Sequence, residues 1–439
     1  MKNNKEKNIN TIFIQILSFL AVLAILMILG LLIFARPEKS ETEKRDLTKF
    51  PSFSISSLLS GDYFDQIGLW YSDTYPGRDF LTSINSNIKS LYGVKSQEIH
   101  GEVVEGDDIP DEYTTKASNK VTETKKETTT SIEDTWEMID AKGDSQSLGA
   151  VFVSGDKAYE YYNFSQSVAD DYIYTLNTVA EKLGDIPVYD IIIPTSIAIT
   201  LPDEYLDSIN SSDQNKAIKY MYSGMNDKVN KVKIYNTLMS HRTEYIYFNT
   251  DHHWTALGAY YAYCDYTKMA KIETMPLTKY TKVEYSGFLG SFYTDTGKLK
   301  VLENNPDTII AYKPNENANL VYTDNKGTKI TWPVINDVSD YGATIKYSCF
   351  IAGDNSFTEI TNPDIQDDST LVVVKESFGN ALVPFLVENY NKIYVIDYRY
   401  YKGSVSDFAI KNGADAVLYM NNVSATRNEY LVGKLKADI

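Results

Sequence analysis

The 439-residue sequence predicts an α/β domain, a parallel sheet with helices on both faces, placed behind an N-terminal transmembrane helix. Three observations carry this. From Ala150 onward, short apolar runs rich in Val and Ile alternate with stretches of helical period, the pattern of a sheet covered on both sides. Between the two halves of that alternation, roughly Met275 to Phe357, a stretch rich in Tyr, Thr, Asn and Gly has no helical period and reads as an irregular β-rich insertion. Thr11 to Phe34 is twenty-four residues without a charge, long enough to span a bilayer.

Taken in chain order, Lys2, Lys5 and Lys7 favour a cytoplasmic segment 1–10 and place everything after Phe34 outside the cell. Ala35-Arg36-Pro37 is a poor cleavage site, so residues 11–34 read as an uncleaved anchor rather than a signal peptide. Residues 35–101 form a membrane-proximal segment, helical and amphipathic from about Phe53 to Leu91 and interrupted at Pro76-Gly77. Across 102–147 Thr, Lys, Glu and Asp dominate. Such a stretch cannot bury enough apolar surface to offset its ordering entropy, and it reads as a solvated insertion.

The main domain, 148–439, opens with the strand Ala150–Val153. A helix follows over Val168–Leu183, with Tyr172, Leu176 and Val179 on its apolar stripe and Gly184 as its C-cap. Then come a buried strand Val188–Ile193, a helix Lys216–Val229, a short strand Val232–Tyr235 and a helix Thr255–Ala270. After the insertion the spacing predicts strand Leu371–Val374, helix Gly379–Glu388, and strands Ile393–Ile396 and Ala416–Tyr419.

A formal net charge of −17 argues against nucleic acid as a partner. Cys264 and Cys349 are the only cysteines. They have no metal spacing, and they read as a possible single disulfide or as two small buried hydrophobes. The 35 tyrosines decide nothing by number, since most suit strand and surface positions as well as a sugar-stacking face.

The chemistry concentrates in two strings. Asp251-His252-His253-Trp254 holds two of only four histidines, and Lys375-Glu376-Ser377-Phe378-Gly379-Asn380 follows a strand. Ligands of open parallel sheets sit beyond the carboxyl ends of the strands, where both strings are expected to lie. By position alone Ser377 reads as an N-cap. Gly379 permits a tight turn, however, and amides at the start of a helix can stabilise an oxyanion, so Ser377 is also a candidate nucleophile. Asp251 stands close enough to His253 to hold its Nδ1 and leave Nε2 for Ser377. Metal binding is disfavoured, because adjacent His252 and His253 offer neither i, i+4 nor alternate-residue chelation. No cofactor is called for. Trp254 reads as a packing anchor or a stacking surface for a sugar ring.

These strings resemble the DHHW proteins of Gram-positive bacteria, which are similar to the SGNH-hydrolase-like alginate O-acetylation proteins. Further matching blocks are Arg45-Asp46-Leu47, Gly61-Asp62-Tyr63, Asp73 to Arg78, Ile191 to Thr195, Phe288-Leu289-Gly290-Ser291 and Ile396 to Tyr400. The resemblance implies an SGNH-like catalytic domain in which Ser377 accepts an acyl group, His253 is the base and Asp251 orients it. It also implies a partner of the membrane-bound O-acyltransferase class that supplies acetyl groups, and a cell-surface polysaccharide as acceptor. Gly353 and Asn355 are the candidates for oxyanion donors, with a plain turn as the alternative. One departure stands out: Lys375-Glu376 replaces the family's usual Gly-Asp ahead of the serine. The expected function is a single-pass, extracellular O-acetyltransferase. A carbohydrate acetylesterase would use the same three residues, and a non-catalytic glycan-binding scaffold is the reading that the departure favours.

Overall fold

Runs of β-branched residues form the centre of the molecule. The computed structural model describes residues 39–40, 45–46, 48–53, 62–75, 98–101, 103–114, 150–205, 208–324 and 327–437. The anchor expected at 11–34 and most of the Thr- and Lys-rich segment lie outside these. Among the described residues no helix is long and apolar enough to cross a membrane. The chain divides into two units, residues 1–92 with 141–146 and residues 93–140 with 147–439.

In the first unit β1 (Lys39–Ser40) pairs antiparallel with β2 (Arg45–Asp46). The helix Asp62–Asp73 is the described part of the expected amphipathic segment, and it ends just ahead of Pro76. Phe50 packs edge-on against Trp70 and Phe53 against Tyr63.

In the second unit β3 (Glu98–His100), β4 (Val151–Ser154) and β5 (Lys157–Glu160) form a small antiparallel sheet. The central sheet draws on β6 (Val188–Ile193), β7 (Val229–Lys231), β10 (Asn319–Thr323), β11 (Lys329–Trp332), β12 (Phe357–Thr361), β13 (Thr370–Lys375), β14 (Lys392–Asp397) and β15 (Ala416–Asn422). Its order is β11-β10-β12-β14-β13-β15-β6-β7. The strands from β14 to β7 run parallel, and β12, β10 and β11 continue it antiparallel. All six residues of β13 are buried, as expected for a strand covered on both faces.

Alternate strand residues serve two cores. Ile191, Ile193, Leu371 and Val373 pack with the helix Ala256–Ala270 on one face. Val188, Ile192, Val372 and Val374 pack on the other face with the helices Gln166–Leu183, Gln214–Gly224, Val405–Lys411 and Glu429–Ala437. The result is a mixed α/β unit with helices on both sides of its sheet.

Several elements differ from expectation, each for a tertiary reason. The helix expected over Lys216–Val229 stops at Gly224, because the Asn177 side-chain amide donates to the Gly224 carbonyl (3.0 Å) and its oxygen takes the Asn226 N–H (2.7 Å). The neighbouring strand therefore falls at Val229–Lys231, and Tyr235 instead begins the helix Tyr235–Ser240. Residues 103–114, expected to be solvated, are docked: Ile109 and Tyr113 pack on the helical layer. Asp107 Oδ2 there accepts the Gln166 N–H (2.8 Å), capping a helix whose own Ser165 makes no side-chain cap. The region 275–357 is not merely an appendage, since β10 and β11 extend the central sheet. Its other strands, β8 (Thr281–Phe288) and β9 (Asp307–Lys313), form a separate hairpin. Cys264 and Cys349 are free thiols.

Candidate active site

The segment leading into Asp251-His252-His253-Trp254 folds back on itself. Tyr247 bridges Trp254, the Phe248 N–H donates to the His253 carbonyl (3.2 Å), and the Thr255 N–H donates to the Ile246 carbonyl (2.9 Å). The β8–β9 hairpin clamps this loop. Asp307, the first residue of β9, accepts from the Asn249 N–H, the Thr250 N–H (2.7 Å) and hydroxyl (2.6 Å), and the Tyr245 hydroxyl (2.6 Å). Just past β8, Gly290 lies against Asp251 so closely that a Cβ there would fall 2.1 Å from the Asp251 side chain. That proximity lets the Ser291 N–H reach Asp251 Oδ2 (2.8 Å).

Asp251 Oδ1 in turn accepts from His253 Nδ1 (2.6 Å) and from the His253 backbone N–H (3.0 Å). His253 Nε2 lies 2.7 Å from Ser377 Oγ. Tyr347 stacks on the imidazole at 4.0 Å, with the planes 13° apart, and its hydroxyl donates to the Ser377 carbonyl (3.1 Å). Side chains 124 positions apart are thereby joined in one line of hydrogen bonds, with Ser377 and His253 each only 6% exposed. Burial drives the Asp251 carboxyl up, but the neighbouring imidazoles and the His253 and Ser291 bonds outweigh it and hold Asp251 well below the usual carboxylate range. Burial and the adjacent His253 ring push His252 down to about 3, so it is neutral at physiological pH. Its Nδ1 rests on Ser291 Oγ (2.6 Å).

Ser377 follows β13 and begins a 3₁₀ turn, Ser377–Ala381. The N-cap is Glu376, whose carboxylate accepts the Phe378 N–H (3.0 Å) and, from β15, the Asn422 N–H (2.9 Å). The capping role that position alone offered to Ser377 is thus filled by its neighbour. Glu376 Oε2 also lies within reach of the Ser377 hydroxyl (3.3 Å), but His253 Nε2 is the closer partner (2.7 Å). Gly379 is required for the tight turn, because a Cβ there would lie 2.6 Å from Lys375 Cβ. The helix expected over Gly379–Glu388 is replaced by this turn and the short helix Val383–Leu386. Pro384 has no N–H with which to continue an α-ladder back to Asn380.

Behind the turn lies an ion cluster in which Lys375, Arg399 and Asp397 are buried and Asp354 sits at the exposed edge. Lys375 Nζ binds Asp397 Oδ2 (2.7 Å) and Asp354 Oδ1 (3.3 Å), and Arg399 grips Asp397 through Nε (2.8 Å) and a terminal nitrogen (2.7 Å). Arg399 also reaches Asp354 (2.9 Å), which accepts from the Asn380 amide (2.8 Å). Asp354 arrives on a strained backbone: Ile351, Ala352 and Gly353 all have positive φ (46°, 64° and 79°), unfavourable for the first two. Burial pushes Glu376 above the usual range, with Arg399 opposing.

Three sequence expectations need correction. Gly353 and Asn355 are not set up as oxyanion donors: the Gly353 N–H is held by the Phe350 carbonyl (2.9 Å) and the Asn355 amide by the Ala352 carbonyl (3.2 Å). What their loop delivers to the site is Asp354. The amides at the turn open a short 3₁₀ turn instead of the expected α-helix, and the Phe378 N–H already serves Glu376. Trp254 cannot stack on a sugar, since it is 0% exposed and its Nε1 donates to the Phe378 carbonyl (2.9 Å), tying the two loops together. Asp251, His252 and His253 bring potential ligand atoms within 4.8 Å of one another, but hydrogen bonds already engage those of Asp251 and His253.

The supporting residues Asp307 and Tyr347 carry no sequence signal, and Asp354 lies between the two oxyanion candidates without a role of its own. Gly290, Ser291 and Arg399 lay in blocks matched by resemblance but without an assigned role.

A family model described as DHHW protein matches residues 43–139 and 112–396. Among solved structures, a DHHW family protein from Eubacterium siraeum is 28% identical with a TM-score of 0.59, over 69% of this chain and 99% of that one. PatB1 of Bacillus cereus is similar in fold at 17% identity. Its form with a sulfonyl adduct has a TM-score of 0.55 over 64% of this chain and 97% of that one, and another PatB1 structure has 0.54 over 64% and 98%. No curated protein matches the chain.

Proposed function

We propose that this chain, which belongs to the DHHW family, is an SGNH-like serine O-acetyltransferase that moves an acetyl group through an acyl-Ser377 to a hydroxyl of a cell-surface polysaccharide. The observation that carries the reading is the unbroken line Asp251–His253–Ser377, with contacts of 2.6 and 2.7 Å. His253 Nε2 accepts the Ser377 proton as Oγ attacks the acetyl carbonyl, forming the C–O bond of a tetrahedral intermediate. Asp251, held ionised, keeps the proton on Nδ1 and stabilises the imidazolium. The intermediate collapses, and the departing donor oxygen takes the proton from Nε2. In the second half-reaction a sugar hydroxyl gives its proton to Nε2 and attacks the acyl-serine. Breakdown returns the proton to Ser377 Oγ and releases the acetylated sugar.

In this reading residues 11–34 anchor the chain with its larger unit outside the cell. A membrane-bound O-acyltransferase partner brings acetyl groups across the bilayer. The Lys375-Glu376 departure is consistent with activity: Lys375 belongs to the ion cluster and Glu376 anchors the turn.

The test incubates the full chain with a chromogenic acetyl ester, with and without an oligosaccharide acceptor, beside Ser377→Ala. Acetylated sugar formed only with Ser377 supports transfer. Acetate release indifferent to acceptor makes the protein an esterase, and activity indifferent to the alanine change removes the enzyme reading.

A further inference from the structure

A cavity of about 510 Å³ lies away from Ser377, between the helix Gln214–Gly224 and the chain that leaves β7, and contains none of Asp251, His253 and Ser377. That volume is ordinary for a small-ligand site. The helix contributes one face at i, i+4, i+8 spacing, Asn215, Lys219 and Ser223, while Lys231 and Lys233 come from β7 and its continuation. Ile192, Ile218 and Ile234 supply an apolar floor.

Lys219, Lys231 and Lys233 therefore face one cavity in a protein of net charge −17. Nearby lysines have carboxylate partners: Lys216 pairs with Asp111 and Lys228 with Glu181. Among the described residues these three have none. Lysines on an edge strand keep other sheets from adding to it, which would account for Lys231 and Lys233. It does not account for Lys219, which projects into the same space from the helix opposite. Three unpaired ammonium groups around an apolar-floored hollow are complementary to an oxyanion carried on a sugar.

The cavity and the nucleophile stand toward the same, carboxyl end of the parallel strands. Ser377 follows β13, and Ile192 and Lys231 lie near the ends of β6 and β7, two and three strands away, with hydrogen bonds tying the intervening loops together. Tyr247, which bridges Trp254 beside His253, donates to the carbonyl of Pro194 just past β6 (2.5 Å). The following helix, Ser196–Ile199, presents the Ala198 carbonyl to the hydroxyl of Tyr235, which lines the cavity (3.4 Å).

We infer that this cavity is a subsite for an anionic segment of the acceptor glycan, gripping a carboxylate or phosphodiester group while a hydroxyl further along the chain reaches Ser377. The identity of the ligand as acceptor rests on the acetyl-transfer reading; the anion site itself does not.

Binding is measured by titration calorimetry on the full chain carrying Ser377→Ala, so that turnover cannot interfere. The probes are an oligogalacturonate, an oligo(glycerol phosphate) and a neutral cello-oligosaccharide of matched length. At least one anionic probe is expected to bind, the neutral one is not, and the preferred probe tells carboxylate from phosphodiester. Lys219→Gln/Lys231→Gln/Lys233→Gln is expected to weaken binding at least about tenfold, a loss of ~1.4 kcal/mol, and Lys219→Glu alone to weaken it measurably. Lys268→Gln, on another helix, serves as the control, and melting temperatures identify any variant that fails to fold. Equal binding of the neutral probe, no binding of either anion, or binding untouched by both lysine variants would overturn the site. Binding intact in a protein that transfers no acetyl group would instead remove the function and leave the site standing.

Discussion

Asp251 and Asp190 belong to the same unit and are both cut off from water, at 4% and 0% exposure, yet their carboxyls are shifted in opposite directions. Asp251 is surrounded by donors: His253 binds it twice and Ser291 once, and these contacts keep it ionised. Asp190, in the middle of β6, accepts from the Tyr172 hydroxyl (2.6 Å). No side chain donates to its second oxygen. Burial lifts it to about 7, with only the Tyr172 bond opposing. Burial alone therefore tends to neutralise an acid, and it is the set of partners that keeps one charged. The rim of the sheet supplies that set through the β8–β9 hairpin, whereas the middle of the sheet does not.

The largest expected effect follows at the rim. Asp251→Asn preserves the shape but releases the Nδ1 tautomer, and kcat for acetyl release is expected to fall about 10³–10⁴-fold. A fall below about tenfold would mean that Asp251 is only structural. Next is the ion cluster behind the turn, where Asp397 is fully buried between Lys375 and Arg399. Asp397→Asn leaves those cations poorly compensated, and urea denaturation is expected to show a loss of ~3–5 kcal/mol. An unchanged midpoint would show that Asp354 suffices for both cations.

At Asp190 the expectation has the opposite sign. Its folded pKa lies above its unfolded one, so its contribution is complete below about pH 4 and is lost as pH rises through about 7. Asp190→Asn is expected to remove that slope and to leave the variant more stable than wild type at pH 8, by up to ~4 kcal/mol. Thermal melts at pH 5 and pH 8 measure this, and a variant destabilised equally at both would contradict it. The smallest effect is expected for Trp254→Phe, which loses the bond to the Phe378 carbonyl and leaves that buried oxygen unpaired. The cost is ~1–3 kcal/mol in stability, with a lower kcat if the tie between the two loops positions Ser377.

The same contrast marks what sequence could reveal. Strands β6, β13, β14 and β15 are legible because each is built on an apolar run, interrupted in β6 only by Asp190, and the helices Gln166–Leu183 and Ala256–Ala270 because their periods are regular. Asp251, His253 and Ser377 stood out because histidines are scarce and the serine follows a strand. Asp307 was not legible as the brace of the Asp251 loop, since it acts across 57 residues through backbone amides. Glu376 reads as a departure from the family pattern, but its carboxylate makes the cap that position alone assigns to Ser377. Ile351 and Ala352 show no turn signal, and their positive φ follows from the anchoring of Asp354. Such features depend on side chains meeting across the fold, which local pattern does not encode.

The most direct measurement is the mass of the protein quenched during turnover of an acetyl ester without acceptor, followed by peptide mapping. One acetyl group is expected on Ser377, disappearing when acceptor is added and never forming in His253→Gln. An unmodified serine in protein that still turns over the ester, or acetyl on another residue at the same rate, would contradict Ser377 as the acyl carrier.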